Sequence, residues 1–273
     1  MPFPTPTHTN INYRPASEQS NPLIQQRCVL DIFLPQSWIE NTHASTRQTV
    51  IYIHGGGLIE GQRNDNPDLT TTLLNNNIAV ITADYRLSSD GITAPTYIHD
   101  VAAITAWVFN NIHRYLGNSQ NITLLGHSAG AYLITMIATD PQYLAPHNLK
   151  PEDLAAVIPV SGQMLTHEQI KTEQSINNHT VITDKFAPLF HHAKTDVPIL
   201  LVVGVNDIPC REQENALFAA YRQRAEKPIK FLPVPDRDHH TIIFEAHKPN
   251  DIVFNTIKQF IDNHKRDTIQ TTA

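Results

Sequence analysis

Short runs of apolar, β-branched residues alternate along the chain with longer stretches in which apolar residues recur every three or four positions. Short apolar runs are typical of strands, and the longer spacing is typical of helices. Several short runs are apolar at every position, which favours strands covered on both faces. The pattern therefore predicts an α/β fold, a central and mostly parallel sheet with helices on both faces. The predicted strands are Cys28–Leu34, Thr49–His54, Ile78–Asp84, Ile122–Gly126, Ala156–Val160, Ile199–Val203 and Ile229–Leu232.

Five stretches have helical spacing. In the clearest of them, Val101, Ile104, Val108 and Ile112 fall on one face, which we expect to pack against the sheet. Asn250 is a favourable cap residue ahead of the last helix. We expect the last eight residues to be frayed. The predicted helices are Asp68–Asn75, Thr96–Tyr115, Ala129–Thr139, Glu212–Glu226 and Asp251–Lys265.

The chain of 273 residues contains no internal repeat and no Gly/Ser linker, so we expect one domain over residues 1–273. Residues 162–195 are the least regular internal stretch, polar and rich in His. A connection of this length between two strands is unusual in a compact domain. The segment is either a small cap that faces the substrate or a disordered surface loop.

Charge and composition exclude several classes of protein. The chain has 20 Lys and Arg against 26 Asp and Glu, a net charge of −6, which disfavours binding to nucleic acid or to anionic membranes. No apolar run is long enough to span a bilayer, and the first 20 residues lack a signal-like apolar run, so we expect a cytoplasmic protein. Cys28 and Cys210 lie far apart without a ligand cluster, so we expect no metal site. The sequence leaves open whether the chain is a monomer or a homodimer.

The strongest chemical signal is a G-x-S-x-G motif. An apolar strand runs into Gly126-His127-Ser128-Ala129-Gly130, and a helical pattern follows directly. In such a strand-turn-helix, glycines permit the close approach of the backbone on either side of an exposed serine hydroxyl. This context predicts that Ser128 is a nucleophile and that the helix N-terminus faces the reacting group.

A second motif, His54-Gly55-Gly56-Gly57, follows another apolar strand. Consecutive glycines leave backbone N–H groups free to stabilise the oxyanion of an acyl-transfer intermediate. We assign Gly56 and Gly57 to this oxyanion hole, together with the N–H of Ala129, and expect His54 to organise the loop. A phosphate-binding loop is disfavoured because no Lys-Ser/Thr pair follows the glycines.

An acid and a histidine should follow the nucleophile in chain order. Asp207 comes just after the strand at residues 199–204, at the end where functional residues of α/β sheets collect, whereas Asp196 precedes that strand. His239 and His240 stand together in a loop after the last predicted strand. Sequence spacing alone does not choose between them.

At these four places together the chain resembles α/β-hydrolase carboxylesterases, in particular the short-chain esterase group that includes kynurenine formamidase (arylformamidase) and hormone-sensitive-lipase-like enzymes. In formamidase-like members the catalytic histidine commonly precedes an aromatic residue, so the resemblance favours His239 as the base. The resemblance extends over nearly the whole chain, through Leu30-Asp-Ile-Phe-Leu-Pro35, Asp84-Tyr-Arg-Leu87, Asp100-Val-Ala-Ala-Ile-Thr-Ala-Trp107 and Pro198-Ile-Leu-Leu-Val-Val-Gly204.

Three positions depart from the hormone-sensitive-lipase pattern. Leu58 stands where many relatives have an aromatic residue, His127 replaces the usual Asp of the motif, and Ala131 replaces a second Gly. With these differences the chain resembles the formamidase-like members more than the hormone-sensitive-lipase-like ones. The three changes alter the wall of the pocket, where substrate identity is set, and remove no catalytic group.

The expected activity is hydrolysis of small carboxylic esters without a cofactor. His239 would take the proton of Ser128, and Asp207 would orient His239. Two alternatives stay open: an arylformamidase that cleaves N-formylkynurenine, and a catalytically silent protein that binds small molecules in the same pocket.

Overall fold

The computed structural model describes residues 4–41 and 47–266, which form one eight-stranded sheet with α-helices on both faces. The strands are β1 His8–Asn12, β2 Val29–Phe33, β3 Gln48–Ile53, β4 Ile78–Ala83, β5 Ile122–His127, β6 Ala156–Val160, β7 Ile199–Gly204 and β8 Ile229–Val234. The helices are α1 Pro22–Arg27, α2 Gln36–Glu40, α3 Pro67–Asn75, α4 Thr96–Asn111, α5 Ala129–Thr139, α6 Glu168–Glu173, α7 Arg211–Arg224, α8 Thr241–Phe244 and α9 Ile252–Asn263.

The strands are ordered β1-β2-β4-β3-β5-β6-β7-β8 across the sheet. β2 runs antiparallel to both of its neighbours, β1 and β4. Across the rest of the sheet, from β4 through β3, β5, β6 and β7 to β8, every neighbouring pair of strands is parallel. In the parallel part, Ile53 at the end of β3 pairs with Gly126 near the end of β5. Parallel strands end at the same edge of the sheet, so the loops after β3, β5, β6, β7 and β8 share one edge. The predicted α/β fold is confirmed.

Two apolar layers cover the sheet, one on each face. Ile51 and Ile53 of β3 point into the layer shared with α4, α5 and α7, whereas Val50 and Tyr52 point into the layer shared with α3, α8 and α9. Neighbouring strand residues point to opposite faces, so β3 contributes to both layers. This burial on both faces explains why the central strands are apolar at every position.

All seven predicted strands are present, with ends that differ by no more than two residues. β1 was not predicted. Its sequence is His-Thr-Asn-Ile-Asn, and its first three residues are exposed because it lies at the edge of the sheet. An edge strand that is largely exposed needs no apolar pattern, so the hydrophobic periodicity gave no signal for it.

The helix predictions require three corrections. The helix predicted over Thr96–Tyr115 ends at Asn111, and the chain continues as a tighter 3-10 turn to Tyr115. The cap of α9 is Asp251 instead of Asn250, because the Asp251 carboxylate accepts the N–H groups of Val253 and Phe254. The short helices α1, α2, α6 and α8 were missed.

Most of the end that was expected to be frayed, residues 267–273, lies outside the described residues. Among the helices of the described residues, none is both long and apolar enough to cross a membrane.

Candidate active site

Ser128 lies in the sharp turn between β5 and α5 with a φ angle of +54°. Such a positive φ is unusual for a residue with a side chain. The turn depends on the two flanking glycines: a Cβ on Gly126 would lie 2.6 Å from the carbonyl carbon of Gly130, and a Cβ on Gly130 would lie 2.1 Å from the carbonyl oxygen of Ile53. The backbone therefore presents the Ser128 hydroxyl at the carboxyl edge of the sheet.

A continuous chain of hydrogen bonds joins the side chains of Ser128, His239 and Asp207. His239 Nε2 lies 2.9 Å from Ser128 Oγ, and His239 Nδ1 lies 2.7 Å from Asp207 Oδ1. Sequence spacing left His239 and His240 open and the resemblance favoured His239, and it is His239 that makes both contacts. The His240 ring is stacked with Phe244, with 6.3 Å between centroids.

The carboxylate of Asp207 has two further donors. Ser161 Oγ donates to Oδ2 at 2.5 Å, and the N–H of Ile208 donates to Oδ1 at 2.7 Å. Burial raises the pKa of Asp207, but hydrogen bonds from His239 and Ser161 outweigh this effect and hold the pKa below its usual value. Asp207 is therefore ionised at neutral pH. Sequence reasoning missed Ser161, whose only local signal is its place directly after β6.

The loop that follows β3, residues 54–66, contains the three consecutive glycines and is called the glycine loop; it lies against Ser128. A Cβ added to Gly55 would be 3.1 Å from the Cβ of Ser128, so a side chain there would crowd the serine. Gly56 and Gly57 have φ angles of +101° and +62°, and their amide groups donate to no acceptor within residues 4–41 and 47–266. Ala129 is the first residue of α5, where amide groups lack an acceptor within the helix. Gly56 and Gly57 line the same cleft as Ser128, and Ala129 follows Ser128 in the chain.

Arg63 anchors the far end of the glycine loop. Its guanidinium bonds Asp31 Oδ2 at 2.9 Å and Asn10 at 2.6 Å and also pairs with Asp84. The backbone N–H of Arg63 donates to Asp84 at 2.6 Å. Asp31 and Asp84 lie on β2 and directly after β4, so these bonds fasten the loop to the antiparallel side of the sheet.

His54 is buried, and it is not among the described residues that line the cleft of Ser128. Its ring is stacked on Tyr85 with 4.4 Å between centroids, and the hydroxyl of Tyr85 donates to the His54 carbonyl at 3.0 Å. Burial lowers the pKa of His54. That His54 organises the loop stays a prediction.

The cleft in front of Ser128 has a volume of about 260 Å³. Sequence reasoning did not identify Tyr52, Ile59, Glu60, Asp65 and Phe244, which line it. Of the three positions expected to alter the pocket wall, His127 lines the cleft, whereas Leu58 and Ala131 are fully buried and are absent from its lining. Ile59 and Phe244 are 48% and 40% exposed and leave apolar surface at the rim, whereas Glu60 and Asp65 contribute carboxylates. The described residues that line it are Tyr52, Gly55, Gly56, Gly57, Ile59, Glu60, Asp65, His127, Ser128, His239, His240 and Phe244.

Residues 162–195 pack against the body of the protein. The hydroxyl of Tyr132 donates to the carbonyl of Phe186 at 2.8 Å, and Glu173 accepts the Ser88 hydroxyl at 2.7 Å and the Ala94 amide at 2.8 Å. The segment lines a cavity of about 430 Å³ beside α7, and none of the described residues around the cleft of Ser128 belongs to it. Its action as a cap stays a prediction.

A family model and solved structures each match most of this chain, and curated relatives match part of it. The profile of the BD-FAE family matches residues 30–221. Phenmedipham hydrolase of Pseudarthrobacter oxydans is 31% identical over 110 residues, 38% of this chain and 22% of the relative. Carboxylesterase 1D of Mus musculus is 29% identical over 120 residues, 41% of this chain and 20% of the relative. The matched region thus spans about a fifth of these relatives.

Two solved structures match over nearly their whole length. A truncated carbohydrate esterase from gut microbiota superposes with a TM-score of 0.74 at 18% identity, covering 96% of this chain and 97% of that one. Esterase 2 of Thermogutta terrifontis, phosphoramylated by tabun, has a TM-score of 0.73 at 17% identity and covers 96% of each chain. At such identities the likeness establishes the α/β-hydrolase fold.

Proposed function

Because the chain belongs to the BD-FAE family and has the α/β-hydrolase fold, we propose that it is a serine hydrolase that cleaves small carboxylic esters through an acyl-enzyme. The observation that carries the proposal is the hydrogen-bonded chain from Ser128 through His239 to Asp207, with distances of 2.9 Å and 2.7 Å. A nucleophile, a base and a group that orients the base are the parts that acyl transfer requires.

In the first half-reaction, Ser128 Oγ attacks the carbonyl carbon of the ester while His239 Nε2 takes the hydroxyl proton. Asp207 is an acceptor, so it holds the proton of His239 on Nδ1 and leaves Nε2 free to act as the base. The resulting imidazolium then gives its proton to the departing alkoxide. The alcohol leaves, and the acyl group stays bonded to Ser128.

In the second half-reaction, water takes the place of the alcohol. His239 removes a proton from the water as its oxygen attacks the acyl carbonyl, and then returns the proton to Ser128 Oγ. The carboxylic acid is released, and the enzyme regains its starting state. No step requires a cofactor.

The negative oxygen of each tetrahedral intermediate needs hydrogen-bond donors. The unengaged amides of Gly56, Gly57 and Ala129 are the candidates, and the N-terminus of α5 adds its dipole. Loss of one such donor typically lowers the rate by about 10²- to 10³-fold. Arg63 supports this arrangement because it fastens the glycine loop to the sheet.

The dimensions of the cleft favour a small substrate. Its volume of about 260 Å³ lies just below the usual range of ligand pockets, about 300–1,000 Å³. The apolar rim of Ile59 and Phe244 suits a short acyl or alkyl group. The solved structures with this fold are named as esterases, which favours esters over the formamides of an arylformamidase.

The proposal is tested with a fluorophosphonate probe and p-nitrophenyl esters graded from acetate to decanoate. We expect labelling of Ser128 in the intact protein and turnover that falls with acyl length. Ser128→Ala should fold, lose labelling and lose turnover by on the order of 10⁶-fold. Ser17→Ala, at an exposed serine outside the cleft, is the matched control and should behave as the parent protein.

The other outcomes separate the rival functions. Labelling at Ser128 without ester turnover, together with cleavage of a formanilide, would replace the ester proposal with a formamidase. A folded protein that neither reacts with the probe nor hydrolyses any ester would be a binding protein, and the proposal would be wrong.

A further inference from the structure

The imidazole of His127 is hydrogen-bonded to the main chain of His239. His127 Nε2 lies 2.7 Å from the carbonyl oxygen of His239. A carbonyl oxygen can only accept, so Nε2 carries the proton and donates it. The neutral ring then has no proton on Nδ1. This bond joins the residue next to Ser128 to the residue that is proposed as the base.

The surroundings of His127 keep its ring neutral. The residue is 5% exposed, and its ring lies 4.9 Å from the ring of His239 and 5.9 Å from that of Phe244. Burial, followed by the charge of His239, lowers the pKa of His127 to about 3, while the bond to the His239 carbonyl and the charge of Asp207 oppose the change. The charged or titratable groups that face it are His239, Asp207 and His240. The N–H donor of His127 therefore persists across the working pH range.

The bond between His127 and His239 joins two distant parts of the chain. His127 is the last residue of β5, and Ser128 follows it directly. His239 lies 112 residues further on, in the loop between β8 and α8, outside any strand or helix. The bond therefore fixes the loop with respect to the same turn that holds the serine. A displacement of about 1 Å in a reacting group can cost about 10²-fold in rate.

We propose that His127 is a positioning residue, whose N–H holds the main chain of His239 at the distance and angle that proton transfer from Ser128 requires. This inference rests on the proposed function, because it assigns a task within the same reaction. It differs from a role in packing, since it depends on the N–H group and not on the volume of the ring.

The test compares variants that keep the donor with variants that lose it. His127→Gln places an N–H at about the reach of Nε2, whereas His127→Phe keeps a ring and His127→Met keeps the length, both without a donor. His191→Phe is the matched control: His191 is 2% exposed and its Nε2 bonds the carbonyl of Lys185 at 2.9 Å, outside the cleft. Folding is checked by circular dichroism, and rates are expressed per folded molecule.

We expect His127→Phe and His127→Met to lower kcat for p-nitrophenyl acetate by about 10- to 100-fold with a change in KM below about threefold. The rate of labelling of Ser128 by the fluorophosphonate should fall in parallel. His127→Gln should recover most of kcat, and His191→Phe should keep it although its melting temperature falls. If only one of the two donor-free variants folds, that variant and His127→Gln give the answer.

Two results would overturn the inference while the proposed function stands: a donor-free variant with the kcat of the parent protein, or a His127→Gln variant as slow as the donor-free ones. The second result would assign the effect to packing of the ring. A parent protein that shows neither labelling nor turnover would refute the proposed function itself, and this inference with it.

Discussion

Replacing Ser161 with Ala removes one hydrogen bond from Asp207 and leaves the others in place. Ser161 Oγ donates to Oδ2, whereas His239 Nδ1 and the N–H of Ile208 both donate to Oδ1. The side chain of Asp207 is 1% exposed and Ser161 is fully buried, so the solvent has little access to the oxygen that loses its donor. Ser161 has a φ of +56°. The strain of this backbone conformation is the same for alanine and for serine, so it does not contribute to the difference in stability between the two proteins.

A hydrogen bond to a charged group contributes about 1.5–3 kcal/mol. We expect the free energy of unfolding of Ser161→Ala to fall by this amount at pH 7, and the melting temperature by roughly 3–12 °C, at about 2–4 °C per kcal/mol. The carboxylate also becomes free to rotate, so fewer molecules hold His239 correctly. If the whole free energy of the bond from Ser161 to Asp207 contributed to the orientation of His239, its loss would lower kcat by about 10- to 150-fold. This value is the upper limit of the effect on kcat.

The destabilisation should depend on pH. The pKa of Asp207 is lowered in the folded protein, so its contribution to stability is present above the unfolded pKa and is lost as the pH falls through the folded pKa. Removal of the Ser161 hydroxyl raises the folded pKa of Asp207. The difference between the two proteins should therefore be largest near neutral pH and shrink below about pH 4.

Urea unfolding at pH 7 and at about pH 2 measures this difference, because the folded pKa of Asp207 lies below the normal pKa of an aspartate, about 3.9. Thr135→Val is the control, because the hydroxyl of Thr135 is equally buried but donates to the neutral carbonyl of Ala131 at 2.6 Å. Its effect on the free energy of unfolding should be the same at both pH values. The reasoning would be refuted if Ser161→Ala had the free energy of unfolding of the parent protein at pH 7, or if its loss were the same at both pH values.

Two further predictions concern charged residues near the cleft. Arg63→Met removes the cation that pairs with the carboxylates of Asp31 and Asp84, which are 2% and 9% exposed. Urea unfolding should show a loss of about 3–5 kcal/mol, and an unchanged midpoint would contradict this. Glu60→Gln and Asp65→Asn should each raise kcat/KM for an ester with a negatively charged alcohol by about two- to fivefold at low salt, and less at high salt. An equal gain for a neutral ester would show that the effect is not electrostatic.

The local motifs were readable from the sequence because each depends on a few consecutive residues. The turn at Ser128 needs glycine at Gly126 and Gly130, since a Cβ at either position would meet backbone atoms. The apolar strand before it and the helix after it lie within the same short stretch. The strands of the parallel part were predicted for the same reason, since burial on both faces leaves an unbroken apolar run.

Contacts between distant parts of the chain were not readable in this way. Ser161 donates to Asp207 from 46 residues away, and His127 bonds the carbonyl of His239 from 112 residues away. Neither contact leaves a periodic or compositional trace. The edge strand β1 was missed for a related reason: its partner is β2, and its own side chains are mostly polar.

The sequence by itself determined the α/β class, the order of the central strands along the chain and the two glycine-rich turns, because burial on both faces and backbone sterics act on neighbouring residues. Spacing along the chain limited the candidate base to two adjacent histidines, and the resemblance favoured His239. Only the tertiary structure decided that His239 contacts both Ser128 and Asp207, that Ser161 and His127 are hydrogen-bonded to Asp207 and to the carbonyl of His239, and that Glu60 and Asp65 line the cleft. These contacts arise where the ends of parallel strands meet at one edge of the sheet, and that meeting depends on how the whole chain packs.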